Sequence, residues 1–239
     1  MSDYTYMREN VDKIRQRMAS AIAKAGRREG DVLLLAACKT RTVEEVKASA
    51  ELDIDLFGEN HVQELVEKVD AGAYLGKKGH LIGHLQTNKI KYVLGRADLV
   101  QSVDSERLLL ALEAGAAKRD MLQDILLEVN IGAEASKTGM AADEFKYLLE
   151  LAAAQKHIRV KGLMSIPPYT TDDAESRRYF EATRKLFEKA KEEHYDNVSM
   201  EILSMGMSSD LENAILEGST MIRIGTDIYG ARDYSGVRR

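Results

Sequence analysis

Lys39 stands in Ala36-Ala37-Cys38-Lys39-Thr40, just past the apolar run Val32-Leu33-Leu34-Leu35. A lysine at the C-terminal end of a first βα strand lies where barrels and open α/β folds place their chemistry. An amine set against apolar packing loses its proton more readily and becomes a nucleophile toward carbonyls. Two glycine-bearing segments late in the chain complement it. Leu203-Ser204-Met205-Gly206-Met207-Ser208-Ser209-Asp210 runs from a strand into a helix start, with Ser209 and Glu212 in capping-box spacing. Met221-Ile222-Arg223-Ile224-Gly225-Thr226 closes the last strand. Small residues with open N–H groups beside a helix start form an anion site; the plainer reading is that these glycines only permit tight turns. In barrels the loops after strands seven and eight are a frequent phosphate site. An amine facing a phosphate cup predicts a phosphorylated aldehyde, and pyridoxal 5′-phosphate (PLP) is the candidate cofactor.

Short apolar runs alternating with longer helical patterns must position these groups. A leading helix is expected over residues 7–25, with Val11, Ile14, Met18 and Ile22 three and four apart. Strands are expected at Val32–Ala37, Asp55–Gly58, His80–Gly83, Leu99–Val103, Ile125–Asn130, Val160–Ser165, Glu201–Ser204 and Met221–Gly225. Helices fall between them near 42–51, 60–70, 87–94, 105–118, 141–155, 173–194 and 209–217. Eight evenly spaced βα units predict a closed (β/α)8 TIM barrel, an α/β fold, with an extra N-terminal helix. An open doubly wound sheet would carry a GxGxxG turn after strand one, and none is there. With no linker-like stretch and no shift in composition, residues 1–239 read as a single domain.

Composition narrows the class. The 239 residues are 44% hydrophobic and 31% charged, enough for a buried core and too apolar for disorder. A net charge of -5 argues against a general nucleic-acid binder. One cysteine excludes an internal disulfide framework and a Cys-based zinc cluster, and fits a reducing compartment. No apolar run nears the roughly 20 residues of a membrane span, and the polar start Met1-Ser2-Asp3-Tyr4 shows no signal peptide. The expectation is a soluble cytoplasmic protein in which the sequon Asn197-Val198-Ser199 is incidental.

Five segments together carry a family resemblance: Ala37-Cys38-Lys39-Thr40, Phe57-Gly58-Glu59-Asn60-His61-Val62-Gln63-Glu64, His80 to Lys89, Leu203 to Ser208, and Arg223-Ile224-Gly225-Thr226. They resemble the pyridoxal phosphate homeostasis protein family, alanine-racemase N-terminal-domain-like proteins of fold type III. The likeness runs from about residue 8 to 232, with Ile82 to Lys89 its most specific part. It implies PLP held as an imine on Lys39, with Ser204, Gly225 and Thr226 on the phosphate and Met205 and Gly206 shaping the cup. It places Arg223 near the pyridine nitrogen, where a permanent cation disfavours protonation of the ring, and Asn60, His84 and Met164 along the ring. The chain departs from the family pattern at Cys38, more usually serine, at Gly79-His80, where an aromatic is expected, and in the loop Gly132 to Gly139.

That loop also approaches a Walker A sequence, but Ser136 stands where the second glycine belongs; a surface loop with Lys137 facing the rim is expected instead. His80 and His84 straddle a strand end and lack further ligands, so a structural or ring-contacting role is expected over metal. Cys38 has no catalytic partner and should point away from Lys39 by strand alternation. Lys89-Ile90-Lys91-Tyr92 reads as a solvated helix face. Met164, Met205 and Met207 read equally as core filling and as groups stacking on a flat ring.

Two functions follow. The first is a non-catalytic carrier that buffers PLP, maintains vitamin B6 homeostasis and delivers the cofactor to apo-enzymes. The second is a PLP-dependent amino-acid racemase or related fold-type III enzyme. Racemisation needs acid–base groups on both faces of the substrate carbon. Alanine racemases draw one from a second domain that this chain, ending at Arg239, does not show; Tyr169 and Tyr229 are the local substitutes. The carrier is therefore the expected function, and a monomer the expected state.

Overall fold

The core of β1 (Leu33–Ala37) is buried on both faces, as its unbroken apolar run requires. Leu34 and Ala36 join the shell beneath the helices, while Leu35 and Ala37 pack inward with Leu56, Ile82 and Met221. The computed structural model describes residues 4–132 and 138–230. Within them β1, β2 (Leu56–Glu59), β3 (Gly79–Leu81), β4 (Leu99–Val103), β5 (Gln123–Val129), β6 (Ile158–Ser165), β7 (Val198–Ser204) and β8 (Met221–Ile224) form a closed barrel in chain order. All pairs are parallel, and β8 returns to β1 with Leu35 opposite Arg223. The expected TIM barrel is the observed fold.

The helices of the shell are α1 (Thr5–Lys24), α2 (Val43–Ala50), α3 (Val62–Asp70), α4 (Ile90–Val93), α5 (Glu106–Ala117), α6 (Phe145–Ala153), α7 (Asp173–Glu192), α8 (Leu211–Leu216) and α9 (Thr226–Tyr229). α1 buries Met7, Val11, Ile14, Met18 and Ile22 against α8 and α9, along the expected stripe. Arg17 extends from it to both Glu212 oxygens (2.7 and 2.9 Å), Asp227 (3.2 Å) and the Ser208 carbonyl (2.9 Å). The leading helix therefore ties down the loops that follow β7 and β8.

Two local expectations change. The capping box of Ser209 and Glu212 does not form, because Arg17 claims the Glu212 carboxylate. α8 starts at Leu211 instead, and Asp210 accepts the Met207 N–H at 2.6 Å. The short helix α9, directly after β8, is an element the hydrophobic pattern had not shown. Asn197 of the sequon is structural: its side-chain amide donates to the carbonyls of Ala152, Gln155 and Ile158. Among the described residues no helix is long and apolar enough to cross a membrane. Lys137 and most of its loop lie outside the described residues.

Candidate functional site

Lys39 is half-buried, two residues past β1. Cys38 turns outward as alternation predicts: it is fully buried, with Sγ 3.2 Å from the Tyr229 hydroxyl. Burial pushes its thiol far up, so it is no nucleophile at neutral pH. Gly225 abuts the same corner, since a Cβ there would sit 3.1 Å from the Ala37 carbonyl and 3.5 Å from its Cβ. Thr226 follows, exposed at the start of α9. Closure of β8 on β1 thus brings Lys39 and the Gly225-Thr226 segment to one rim, although about 185 residues of chain separate them.

Beneath that rim a chain of polar groups crosses the barrel. Arg223 (β8) donates through Nη1 to Ser204 Oγ at 2.7 Å and through Nη2 to the Ser165 carbonyl (β6) at 2.9 Å. Ser204 (β7) donates in turn to Gln101 Oε1 at 2.7 Å, and Gln101 Nε2 (β4) lies 2.9 Å from Nδ1 of His80 (β3). Each of these side chains is at most 5% exposed, so each depends on its partner to offset lost hydration. Burial pushes Arg223 down to about 10, with Glu128 and Asp210 pulling it back up; the guanidinium stays cationic at neutral pH. Burial pushes His80 down to about 3, which keeps it neutral, so its Nδ1 accepts from the Gln101 amide.

Glu128 (β5) completes the interior. Leu126, on the same strand face two residues earlier, packs inside with Leu99 and Met164. Glu128 is 2% exposed and accepts the Thr138 hydroxyl at 2.6 Å. Burial raises its carboxyl to about 7, with Asp104 adding to the rise and Thr138 and Arg223 opposing it.

The remaining expected residues divide. Asn60 and His84 share a rim pocket of about 310 Å³ with Val62, Gly83, Gln86 and Lys89. Met164 is fully buried in the inner layer, below the rim. Met205 is fully buried in the outer shell, and its main chain is engaged as well: the N–H donates to the Met221 carbonyl at 3.1 Å and the carbonyl accepts the Ser219 hydroxyl at 2.7 Å, so it supports the turn and does not face the rim. Gly206 has φ +95°, and a Cβ there would lie 2.5 Å from that of Ala214, so only glycine suits the turn. The Ser204 hydroxyl is committed to Arg223 and Gln101 inside the barrel. His80 is buried while His84 is exposed, and no metal-holding group of three or more His, Cys, Asp or Glu occurs among the described residues. Gln101 and Glu128 were not singled out from sequence. The signal was partial: each polar residue follows by two positions a leucine that packs inside the barrel, Leu99 before Gln101 and Leu126 before Glu128.

A closed parallel barrel with a lysine at the first strand's end, a Gly-Thr corner beside it and a buried arginine below defines a lysine-bearing barrel of the racemase type. The chain belongs to the family described as alanine racemase, N-terminal domain, whose model matches residues 3–233, and within it to the pyridoxal phosphate homeostasis proteins. The relative of that name from Aquifex aeolicus is 39% identical over 226 residues, covering 95% of this chain and 98% of its own. A crystal structure of an unknown protein from Bifidobacterium adolescentis superposes with TM-score 0.91 at 33% identity, covering 96% of this chain and 97% of that one. PipY of Synechococcus elongatus PCC7942, solved with PLP bound, superposes with TM-score 0.77 at 28% identity, covering 89% and 100%.

Proposed function

We propose that this protein binds pyridoxal 5′-phosphate through Lys39 and serves to hold, buffer and deliver it within vitamin B6 homeostasis. The observation that carries the reading is the shared rim of Lys39 and Gly225-Thr226 above a buried cation, Arg223. When bound, the cofactor supplies an aldehyde that condenses reversibly with a lysine amine. The residues suit such a group. Gly225 leaves a space that a Cβ would fill against Ala37, the α9 start and the Thr226 hydroxyl offer donors to a phosphate, and Arg223 is held fixed from two sides. Lys39 would present the amine, Thr226 and the main chain at Gly206 and Gly225 would cradle the phosphate with Met205 holding the turn from behind, and Ser204 orients Arg223. Arg223 would supply a fixed positive charge beneath the cofactor, Asn60 and His84 would border it at the rim, and Met164 would back the site from the layer below. PLP-bound PipY and the homeostasis relatives support this reading.

A non-catalytic role is part of the proposal. A racemase needs a second proton donor opposite the lysine. Tyr229 does not supply it: its hydroxyl is bound to Cys38 Sγ and to Ser49 Oγ at 2.9 Å, behind β1. Tyr169 is 77% exposed beyond β6. Incubation with amino acids in deuterated water should give no exchange at the α-carbon. Residues 1–239 as one domain, a monomeric state and a cytoplasmic setting complete the reading, the last supported by a single, buried, free cysteine.

The test is peptide mapping after borohydride reduction with added PLP. The expected result is a pyridoxyl-phosphate adduct on the Lys39 peptide. Lys39→Ala should lose that adduct yet keep part of the non-covalent binding, because the phosphate cradle is intact. An adduct of undiminished yield in the variant overturns the role of Lys39.

A further inference from the structure

We infer that α3 is a clamp that positions Lys39: Glu64 and Lys68 hold the backbone on either side of it and keep a strained turn in place. This deepens the reading of Lys39 as the attaching amine and rests on it.

Glu64 and Lys68 are four apart and share one helix face. Lys68 is 1% exposed, and its ammonium donates to the Cys38 carbonyl at 3.0 Å. Glu64 Oε1 accepts the Thr40 N–H at 2.9 Å. Lys39 lies between the two grips. The Cys38 carbonyl also accepts the Arg41 N–H at 3.0 Å, which closes a four-residue turn with Lys39 and Thr40 at its corner. Thr40 occupies φ +66°, a conformation that suits glycine and that a β-branched residue adopts only at a cost. Such a residue persists only where its surroundings over-determine it, and here two charged side chains from one helix do so.

The clamp has its own foundation. Lys68 is paired with Glu59 on β2 at 2.9 Å, and Glu59, fully buried, also accepts the Tyr74 hydroxyl at 3.3 Å. Tyr74 stacks on Phe57 with ring centroids 5.1 Å apart. A buried ion pair is a weak source of stability but a strong constraint on geometry. Cys38 adds a third anchor through Tyr229. Helix, strand and turn thus converge on the backbone of a single residue. Glu64 and Lys68 are positioning residues and act on the cofactor only through Lys39.

The experiment compares Glu64→Met, which removes the acceptor, with Glu64→Gln, which keeps one. Two measurements are made: hydrogen exchange of the peptide spanning Thr40 in protein freed of cofactor, and the rate at which PLP is trapped on Lys39 by borohydride. E64M should exchange the Thr40 amide about tenfold faster or more and slow trapping by a similar factor, while E64Q stays near the unaltered protein. Adding Thr40→Gly to E64M should recover much of the trapping rate, because glycine adopts positive φ without strain. If E64M leaves exchange unchanged, there is no clamp. If exchange rises but trapping does not slow, the contact holds the turn without positioning the amine, and the inference falls. If E64M does not fold, Glu64→Ser replaces it with the same outcomes. Absence of a Lys39 adduct in the unaltered protein overturns the proposed function itself; it is told apart from failure of the clamp because it needs no variant.

Discussion

Replacing Glu128 by glutamine removes one titrating group from the barrel interior and keeps an oxygen for the Thr138 hydroxyl. Burial raises the Glu128 carboxyl from 4.5 to about 7, so between these values the folded protein holds a proton that the unfolded chain has released. Stability from this group is therefore complete below about pH 4.5 and is lost as the pH rises through 7. At ~1.4 kcal/mol per pH unit the full effect is about 3 kcal/mol, most of it falling between pH 5 and 8.5. Glu128 is 2% exposed, so solvent screening takes little from this figure. Other buried groups titrate as well. Glu59, raised to about 7, has the same sign, whereas His80, lowered to about 3, favours the fold as the pH rises through its unfolded value. Both are present in variant and parent, so the difference between the two isolates Glu128. Urea denaturation from pH 5 to 8.5 should show E128Q gaining on the parent by about 2 to 3 kcal/mol over the range. A difference that stays constant with pH would mean that Glu128 titrates as an ordinary surface carboxyl, and the account of the barrel interior would fail.

Two further outcomes test the polar chain. Ser204→Ala strips a partner from both Arg223 and Gln101 in a dry interior, and should cost about 3 kcal/mol or more in urea denaturation; a loss near zero would mean water or rotation satisfies both. Arg223→Ala should weaken PLP binding by about tenfold or more, measured by fluorescence or absorbance titration, and unchanged affinity would remove Arg223 from the site.

Much of the architecture was legible because it rests on local patterns. The run Leu33–Ala37, the three-and-four spacing of Val11, Ile14, Met18 and Ile22, and the alternation of short and long apolar stretches express burial that neighbouring residues decide. The ends of short elements were harder to read. α9 has only four residues, and the start of α8 depends on Arg17, about 190 residues away.

The site divides along the same line. Lys39, Gly225 and Thr226 could be placed at strand ends from sequence because their positions follow from the count of βα units. The chain from His80 through Gln101 and Ser204 to Arg223 could not, since Gln101 and Ser204 are 103 residues apart. Nor could the grip of α3 on the turn around Lys39, which depends on a helix reaching back across β2. Sequence by itself determined the count of βα units and which residues stand at the strand ends, because period and spacing are properties of the chain. Only closure of the barrel decided which inward polar groups meet. A buried donor must find its acceptor wherever the eight strands bring one within reach, and that is a property of the enclosed space.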